Sequence, residues 1–301
     1  MARMFIFGLG YVASRLATLL RERGWDVAGT GRAGTCRFND TARVRQSLAN
    51  ATHILSAVPP DRSNGGDPVM LNYGALLRGK ASTATWLGYL SSTGVYGDTG
   101  GAWVDEASPT AGAAGSARVL CDSDWLAQGA RVFRLSGIYG PGRSAVDRVR
   151  SGKAHRIDLP GQVFSRVHVD DIVTAVLAAI DKGAPPGPYN ITDDLPTSQN
   201  AVIEEACRLL GVEPPPLRKL DDADLSPMAR GFYAQNRRVA NGRAKRVLRW
   251  LPRYPTYAEG LRAVLSASGA GSAAGTDLAL SATAIPASAS NPPVTASGVQ
   301  R

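Results

Sequence analysis

The sequence predicts an α/β protein, a doubly wound parallel sheet with a small, mostly helical C-terminal part, and three observations predict it. Short β-rich apolar runs alternate with helical patterns through most of the 301 residues, as strands joined by crossover helices do. The first of these runs meets Gly8-Leu9-Gly10-Tyr11-Val12-Ala13 and passes directly into an apolar helical pattern. Beyond the last strand-like run, helical periodicity takes over.

In chain order, β-rich runs place strands at 3–8, 26–30, 36–38, 53–57, 85–91, 131–135 and 188–192. Helices fill the intervals at 11–23, 41–48, 68–78, 116–127 and 171–181. Asp40 is suited to cap the second of these, and Asp170 to cap the last, whose acidic start complements the helix dipole. Pro59-Pro60 shapes the loop after the strand at 53–57 by fixing its backbone. Helical segments at 199–210, 223–234, 242–248 and 257–265 form the C-terminal part. From Ser266 the composition collapses to Ala, Ser, Gly, Thr and Pro, and without branched and aromatic residues to offset ordering entropy a disordered tail is expected. The expected division is one unit over 1–265 and a low-complexity tail over 266–301. Within the unit, a nucleotide-binding core of about 1–139 plus 163–192 carries a substrate-side subdomain of about 140–162 plus 193–265.

Composition excludes several classes. Arg15 interrupts the N-terminal apolar run and no Ala-x-Ala site follows, which argues against a signal peptide. The apolar segment at 175–180 is far too short to span a bilayer. A soluble, cytoplasmic protein is expected. Cys36, Cys121 and Cys207 are scattered without metal or disulfide spacing, and His53, His155 and His168 are equally dispersed, so no metal site is expected. The net charge of +9, mostly from arginine, favours anionic partners. The basic stretch from Arg237 to Arg246 lacks interleaved aromatics or a nucleic-acid motif, so it reads as a solvated helix face or an anion contact in a cleft.

The turn at Gly8–Ala13 carries chemistry. Gly8 permits the tight bend, Gly10 lets a diphosphate approach the backbone, and Ala13 lets the helix pack on the strand. Amides at the helix start then receive the phosphate charge. The second strand ends Val27-Ala28-Gly29-Thr30-Gly31-Arg32, with no carboxylate there for a ribose 2′-hydroxyl. Thr30 can donate to a 2′-phosphate and Arg32 can pair with it, which favours NADP(H) and leaves NAD as the alternative. Gly8, Gly10, Tyr11, Val12, Ala13, Thr30 and Arg32 are therefore the first cofactor candidates. Asp40 has two readings, an adenine contact or a helix cap.

The segments Ser91-Ser92-Thr93-Gly94-Val95-Tyr96-Gly97, Arg134-Leu135-Ser136-Gly137-Ile138-Tyr139-Gly140-Pro141-Gly142 and Arg166-Val167-His168-Val169-Asp170-Asp171, with Tyr189-Asn190-Ile191, add a resemblance. Over about residues 1–265 the chain resembles the extended short-chain dehydrogenase/reductase family, the nucleotide-sugar epimerases and dehydratases. That resemblance implies a Rossmann sheet and a nicotinamide cofactor contacted also by Ala57, Val58, Ser91, Ser92, Thr93 and Arg118. It implies a catalytic Tyr-x-x-x-Lys pair too, and here the chain departs: Arg118 stands at the lysine position and Ala114 at the tyrosine position. Arginine keeps the charge but cannot relay a proton. The pattern resembles the atypical branch of the family.

Ser92 and Tyr96 are the candidates for a catalytic role, Ser92 as a substrate or nicotinamide contact and Tyr96 as a substitute acid. Tyr139 and Thr93, also after strand ends, are weaker substitutes. His168 reads as architectural. The resulting expectation is an oxidoreductase on an unidentified small, anionic molecule. A non-catalytic NADP(H) sensor or scaffold is the alternative, and a nucleotide-sugar epimerase or dehydratase is a weaker third. Family resemblance also suggests a homodimer through the helices at 68–78 and 116–127.

Overall fold

A computed structural model describes residues 1–61, 66–81, 86–110, 116–221 and 227–276. The first strand, β1 (Arg3–Phe7), sends Met4 and Ile6 into one apolar layer and Phe5 and Phe7 into the other. This is the period of two that a strand imposes. All four are buried, as expected of a parallel strand covered on both faces. Helix α1 (Tyr11–Glu22) follows, then β2 (Asp26–Gly29), α2 (Thr41–Asn50), β3 (His53–Ser56), α3 (Pro68–Ala81) and β4 (Trp86–Ser92). A 3₁₀ turn, Thr93–Tyr96, leads into a short β5 (Trp103–Val104), and α4 (Ala117–Ala127), β6 (Arg131–Leu135) and β7 (Gly137–Tyr139) come next. The remainder comprises α5 (Ala145–Arg150), β8 (Arg156–Asp158), β9 (Arg166–His168), α6 (Val169–Asp181), β10 (Gly187–Ile191), α7 (Gln199–Leu210), β11 (Leu217–Lys219), α8 (Pro227–Tyr233), β12 (Arg238–Val239), α9 (Gly242–Leu248) and α10 (Tyr257–Thr276).

Six strands form one parallel sheet in the order β10-β6-β4-β3-β1-β2. The chain steps from β1 outward to β2 and then returns to the other side of β1, so the order reverses between β1 and β3. In open α/β sheets the crevice outside the carboxyl strand ends at this switch point receives ligands. Val12, Leu16 and Leu20 of α1 pack with Ile172, Val173 and Val176 of α6 on one face. Val44 and Leu48 of α2, Tyr73 and Leu77 of α3, and Trp125 of α4 cover the other. A separate cluster of Val146, Ile203, Cys207, Leu261 and Val264 ties α5, α7 and α10 together beside the sheet.

Three local expectations need correction. Residues 36–38 form no strand, and Cys36 makes only an isolated bridge to Thr30. The Gly31–Gly34 bend consumes the preceding residues, and Asp40 already caps α2 by accepting from the Arg43 amide, leaving no length for a ladder. Helix α6 starts at Val169, so its N-cap is His168, whose Nδ1 accepts from the Asp170 amide at 3.3 Å, and not Asp170. Helix α10 continues to Thr276, past the Ser266 boundary where disorder was expected. The tail beyond 276 lies outside the described residues.

Among the described residues no helix is long and apolar enough to cross a membrane. Nor does any group of three or more His, Cys, Asp or Glu among them lie close enough to hold a metal ion. All three cysteines are buried and unpaired.

Candidate functional site

The glycine turn sits at the carboxyl end of β1, at the switch point. Gly8 has φ +85°, a conformation that side chains rarely tolerate, and an added Cβ would come within 3.1 Å of Val58 Cγ2. Gly10 differs. Its φ of −99° suits any residue, and an added Cβ would meet no protein atom nearer than the Gly8 carbonyl oxygen at 4.0 Å. Its lack of a side chain therefore serves neither the bend nor the packing. As N-cap of α1, Gly10 supplies no side-chain acceptor, and the first turn holds no acidic residue. The first-turn amides that every helix leaves without intrahelical partners thus have no capping side chain. Positive dipole and free donors coincide there, which is what an anionic oxygen requires.

The turn is braced from below. The Gly8 N–H donates to Thr30 Oγ1 at 3.0 Å, and the Leu9 N–H donates to the Thr30 carbonyl at 2.7 Å. Thr30 is 2% exposed. Its expected place at an open 2′-phosphate is therefore corrected: the register of β1 against β2 puts the hydroxyl beneath Gly8. Arg32, by contrast, is exposed and forms no ion pair among the described residues. Ala57 and Val58 leave β3 alongside the turn, the Ala57 amide donating to the Phe7 carbonyl at 2.8 Å.

At the end of β4 the structure separates residues that the sequence groups. Ser92 is half-buried and opens the 3₁₀ turn, its Oγ accepting from the Gly94 N–H at 3.0 Å. Arg118 Cδ lies 3.6 Å from where a Gly94 Cβ would stand, so Ser92 and Arg118 share one neighbourhood. Thr93 is buried. Ser91 points the other way, donating to Asp122 Oδ1 at 2.6 Å in the core, so its expected cofactor contact is corrected. Tyr96 is corrected as well. It is 1% exposed; its hydroxyl donates to Asn190 Oδ1 at 2.7 Å and accepts from Arg134 Nη1 at 3.0 Å. Burial also raises its pKa, so Tyr96 is neither open to a substrate nor easily ionised. Tyr139 is buried too, and burial raises its pKa in the same sense. Ala114 lies outside the described residues.

The buried network behind this wall escaped the sequence reading. Arg134 donates from Nε to both Asp122 oxygens at 3.2 Å and from Nη2 to Oδ2 at 2.7 Å, with side chains 4% and 1% exposed. Asp122 sits four residues after Arg118 on α4, so the clamp fixes the helix that presents Arg118. The signal was there in the acidic residue following Arg118 and the arginine of the Arg134-Leu135 motif, but pairing them needs the β4–β6 register. Asn236, with no motif to mark it, ties its own segment to two others. Its N–H donates to Asp98 Oδ1, its carbonyl accepts from the Thr99 and Gly101 amides, and its side chain joins Gly161 and Val163.

In the loop between β10 and α7 lies an unusual acid. Asp193 is 2% exposed with Oδ2 unpartnered, and burial pushes its pKa up to about 8, only partly opposed by the nearby Arg166 guanidinium. Burial likewise raises Asp171 to about 6, although its oxygens accept from the Arg253 and Tyr254 amides. Both folded-state values exceed the ordinary 3.8. The folded chain therefore holds protons that the unfolded chain has released, and stability falls as pH rises through this window. Above the ordinary histidine range, where the buried histidines no longer contribute, we expect the melting temperature to decline from about pH 6.5 to about pH 8.5, and Asp193→Asn to flatten that decline. A variant retaining the wild-type slope would show that Asp193 does not titrate there.

No family model matches the sequence. Protein YeeZ of Escherichia coli strain K12 is 30% identical over 255 residues, covering 74% of this chain and 89% of that protein. The solved structure of a functionally unknown conserved protein from Silicibacter pomeroyi DSS is 39% identical, with TM-score 0.79 over 89% of this chain and 99% of that one. The chain belongs to one family with Protein YeeZ, and its fold is that of the short-chain dehydrogenase/reductases and NAD-dependent epimerases. Solved structures at lower identity share the fold. A Bacillus anthracis dTDP-glucose 4,6-dehydratase solved with NAD matches at TM-score 0.71 and 17% identity, over 90% of this chain and 97% of that one. Human epimerase family protein SDR39U1 solved with NADPH matches at 0.68 and 15%, over 88% and 99%. A 3-diazoavenalumate denitrifying reductase from a Streptomyces species is 36% identical over 141 residues, 43% of this chain and 45% of that protein.

Proposed function

We propose that this protein binds NADP(H) through the amides of the Gly10–Ala13 turn and is an oxidoreductase on a small anionic molecule. The observation that carries the reading is Gly10: an exposed glycine that neither the backbone conformation nor the packing requires, at an uncapped helix start. Exposed Arg32, following a β2 with no terminal carboxylate, favours the 2′-phosphorylated cofactor. The relatives solved with NAD and NADPH, and the partial relative named a reductase, support the same class of chemistry. The net charge of +9 supports an anionic substrate.

A bound nicotinamide would supply the hydride, and the chain's part is to bind and orient it. Residues of the first turn hold the diphosphate, and Ala57 and Val58 flank it. Ser92 meets the nicotinamide or substrate end, and Arg118 maintains a fixed positive charge there, held by the Asp122–Arg134 clamp. Arg118 steers charge there without relaying a proton. Two observations favour a second reading, a non-catalytic sensor. Ser92 Oγ already accepts a bond from the backbone, and Tyr96 is locked in the core.

NADPH oxidation against a panel of carbonyl-containing and other reducible carboxylates separates the two. Turnover of any member supports the enzyme. Tight NADPH binding with no turnover across the panel moves the assignment to the sensor.

A further inference from the structure

The loop after β7 presses on the first turn of α1. The Tyr11 hydroxyl donates to the Pro141 carbonyl at 3.0 Å, joining segments 130 residues apart. At Gly140, φ is +154° and an added Cβ would lie 2.7 Å from the Tyr11 hydroxyl and 2.6 Å from Val169 Cγ1, so the approach is as close as a backbone permits. Two cations flank the Tyr11 ring: Arg15 Cζ lies 4.1 Å and Arg143 Cζ 5.9 Å from its centroid. Arg15 is anchored, its Nη1 donating to the Tyr11 carbonyl at 2.9 Å. Arg143 is exposed and makes no ion pair among the described residues. Of the nearby acids, Asp147 closes the capping box of α5 with Ser144, and Asp170 forms no ion pair with either arginine among the described residues.

Two guanidinium groups gathered on one ring without a carboxylate partner repel each other unless an anion joins them. Tyr11 is also the residue whose amide opens the first turn of α1. Resting on the reading above, we infer that Arg143 binds the dinucleotide's diphosphate from the side opposite the helix amides. Arg15, over the same ring and bonded to the Tyr11 carbonyl, holds the shared platform in place. The diphosphate is then gripped between a backbone cradle and a side chain delivered by the β7–α5 loop. Guanidinium groups suit this task because they offer several donors in a fixed plane.

The test titrates the full chain with NADPH and with NADH, for the wild type, Arg143→Gln, Arg143→Lys and Arg32→Gln, at two salt concentrations. Arg143→Gln should weaken both nucleotides by about ten-fold, the loss of one charge-assisted hydrogen bond, and lessen the salt dependence. The NADPH-to-NADH preference and the melting temperature should not change. Arg143→Lys should recover part of the loss, and Arg32→Gln should weaken NADPH alone. If the wild type binds and Arg143→Gln binds equally well with the same salt dependence, the inference is overturned while the cofactor assignment stands. A wild type that binds neither nucleotide overturns both.

Discussion

Gly10→Val is expected to weaken NADPH binding by about a hundred-fold or more, at least ~3 kcal/mol, while the chain folds as before. An added Cβ at this position meets no protein atom within 4 Å apart from the Gly8 carbonyl at that limit, and φ is −99°. The valine branches therefore extend into the space over the helix start, where diphosphate oxygens would lie. The folding cost should stay within about 1 kcal/mol, since glycine is only a moderate N-cap and the site is exposed. Gly8→Val forms the contrasting control. At φ +85°, with Val58 Cγ2 3.1 Å from the added carbon, it should lose stability as well as binding. Thermal melts paired with NADPH titrations distinguish the two positions. Equal NADPH affinity in Gly10→Val and wild type would mean that the cofactor does not pass over this turn.

The second large effect is on stability. Asp122→Ala leaves the Arg134 guanidinium, 4% exposed, without its carboxylate, and also strips a partner from the Ser91 hydroxyl. Removing one member of a buried pair costs about 3–5 kcal/mol, because a charge stays behind in a poor solvent. Urea unfolding should report a loss of this size. Replacing both residues by apolar ones, as in Asp122→Leu with Arg134→Met, should recover much of it. A loss below about 1 kcal/mol for Asp122→Ala would place the clamp among ordinary surface pairs. The same single variant should loosen α4 against β4 and hence the placing of Arg118 beside Ser92.

Local signals in the chain were legible and distant ones were not. The Gly8–Ala13 turn could be read because strand, bend and helix lie within about twenty residues, and each glycine there has its own physical reason. The alternation of strands and helices was readable too, apart from 36–38, where a Gly-rich bend used up the residues a strand would need. Thr30 and Ser91 failed for one reason. A strand residue's direction depends on register, and a single position separates the cleft from the interior. Ser91 thus binds Asp122 while its neighbour Ser92 opens the 3₁₀ turn. Tyr96 was misplaced because that turn swings it back under the strand end, toward Arg134 and Asn190. The Tyr11–Pro141 contact and the Asn236 brace join segments far apart in the chain, and no spacing rule reaches that far. His168 is itself the cap of α6, two residues ahead of Asp170, a role that the acidic pair after it masked in the sequence.

Everything proposed for this protein depends on a nicotinamide nucleotide at the first turn, and a fluorescence titration of the wild-type chain with NADPH and NADH decides it. The account predicts saturable binding of both, tighter for NADPH, competed by ADP-ribose, which carries the diphosphate without the nicotinamide. Failure of either nucleotide to bind, or binding that ADP-ribose does not displace, would contradict it.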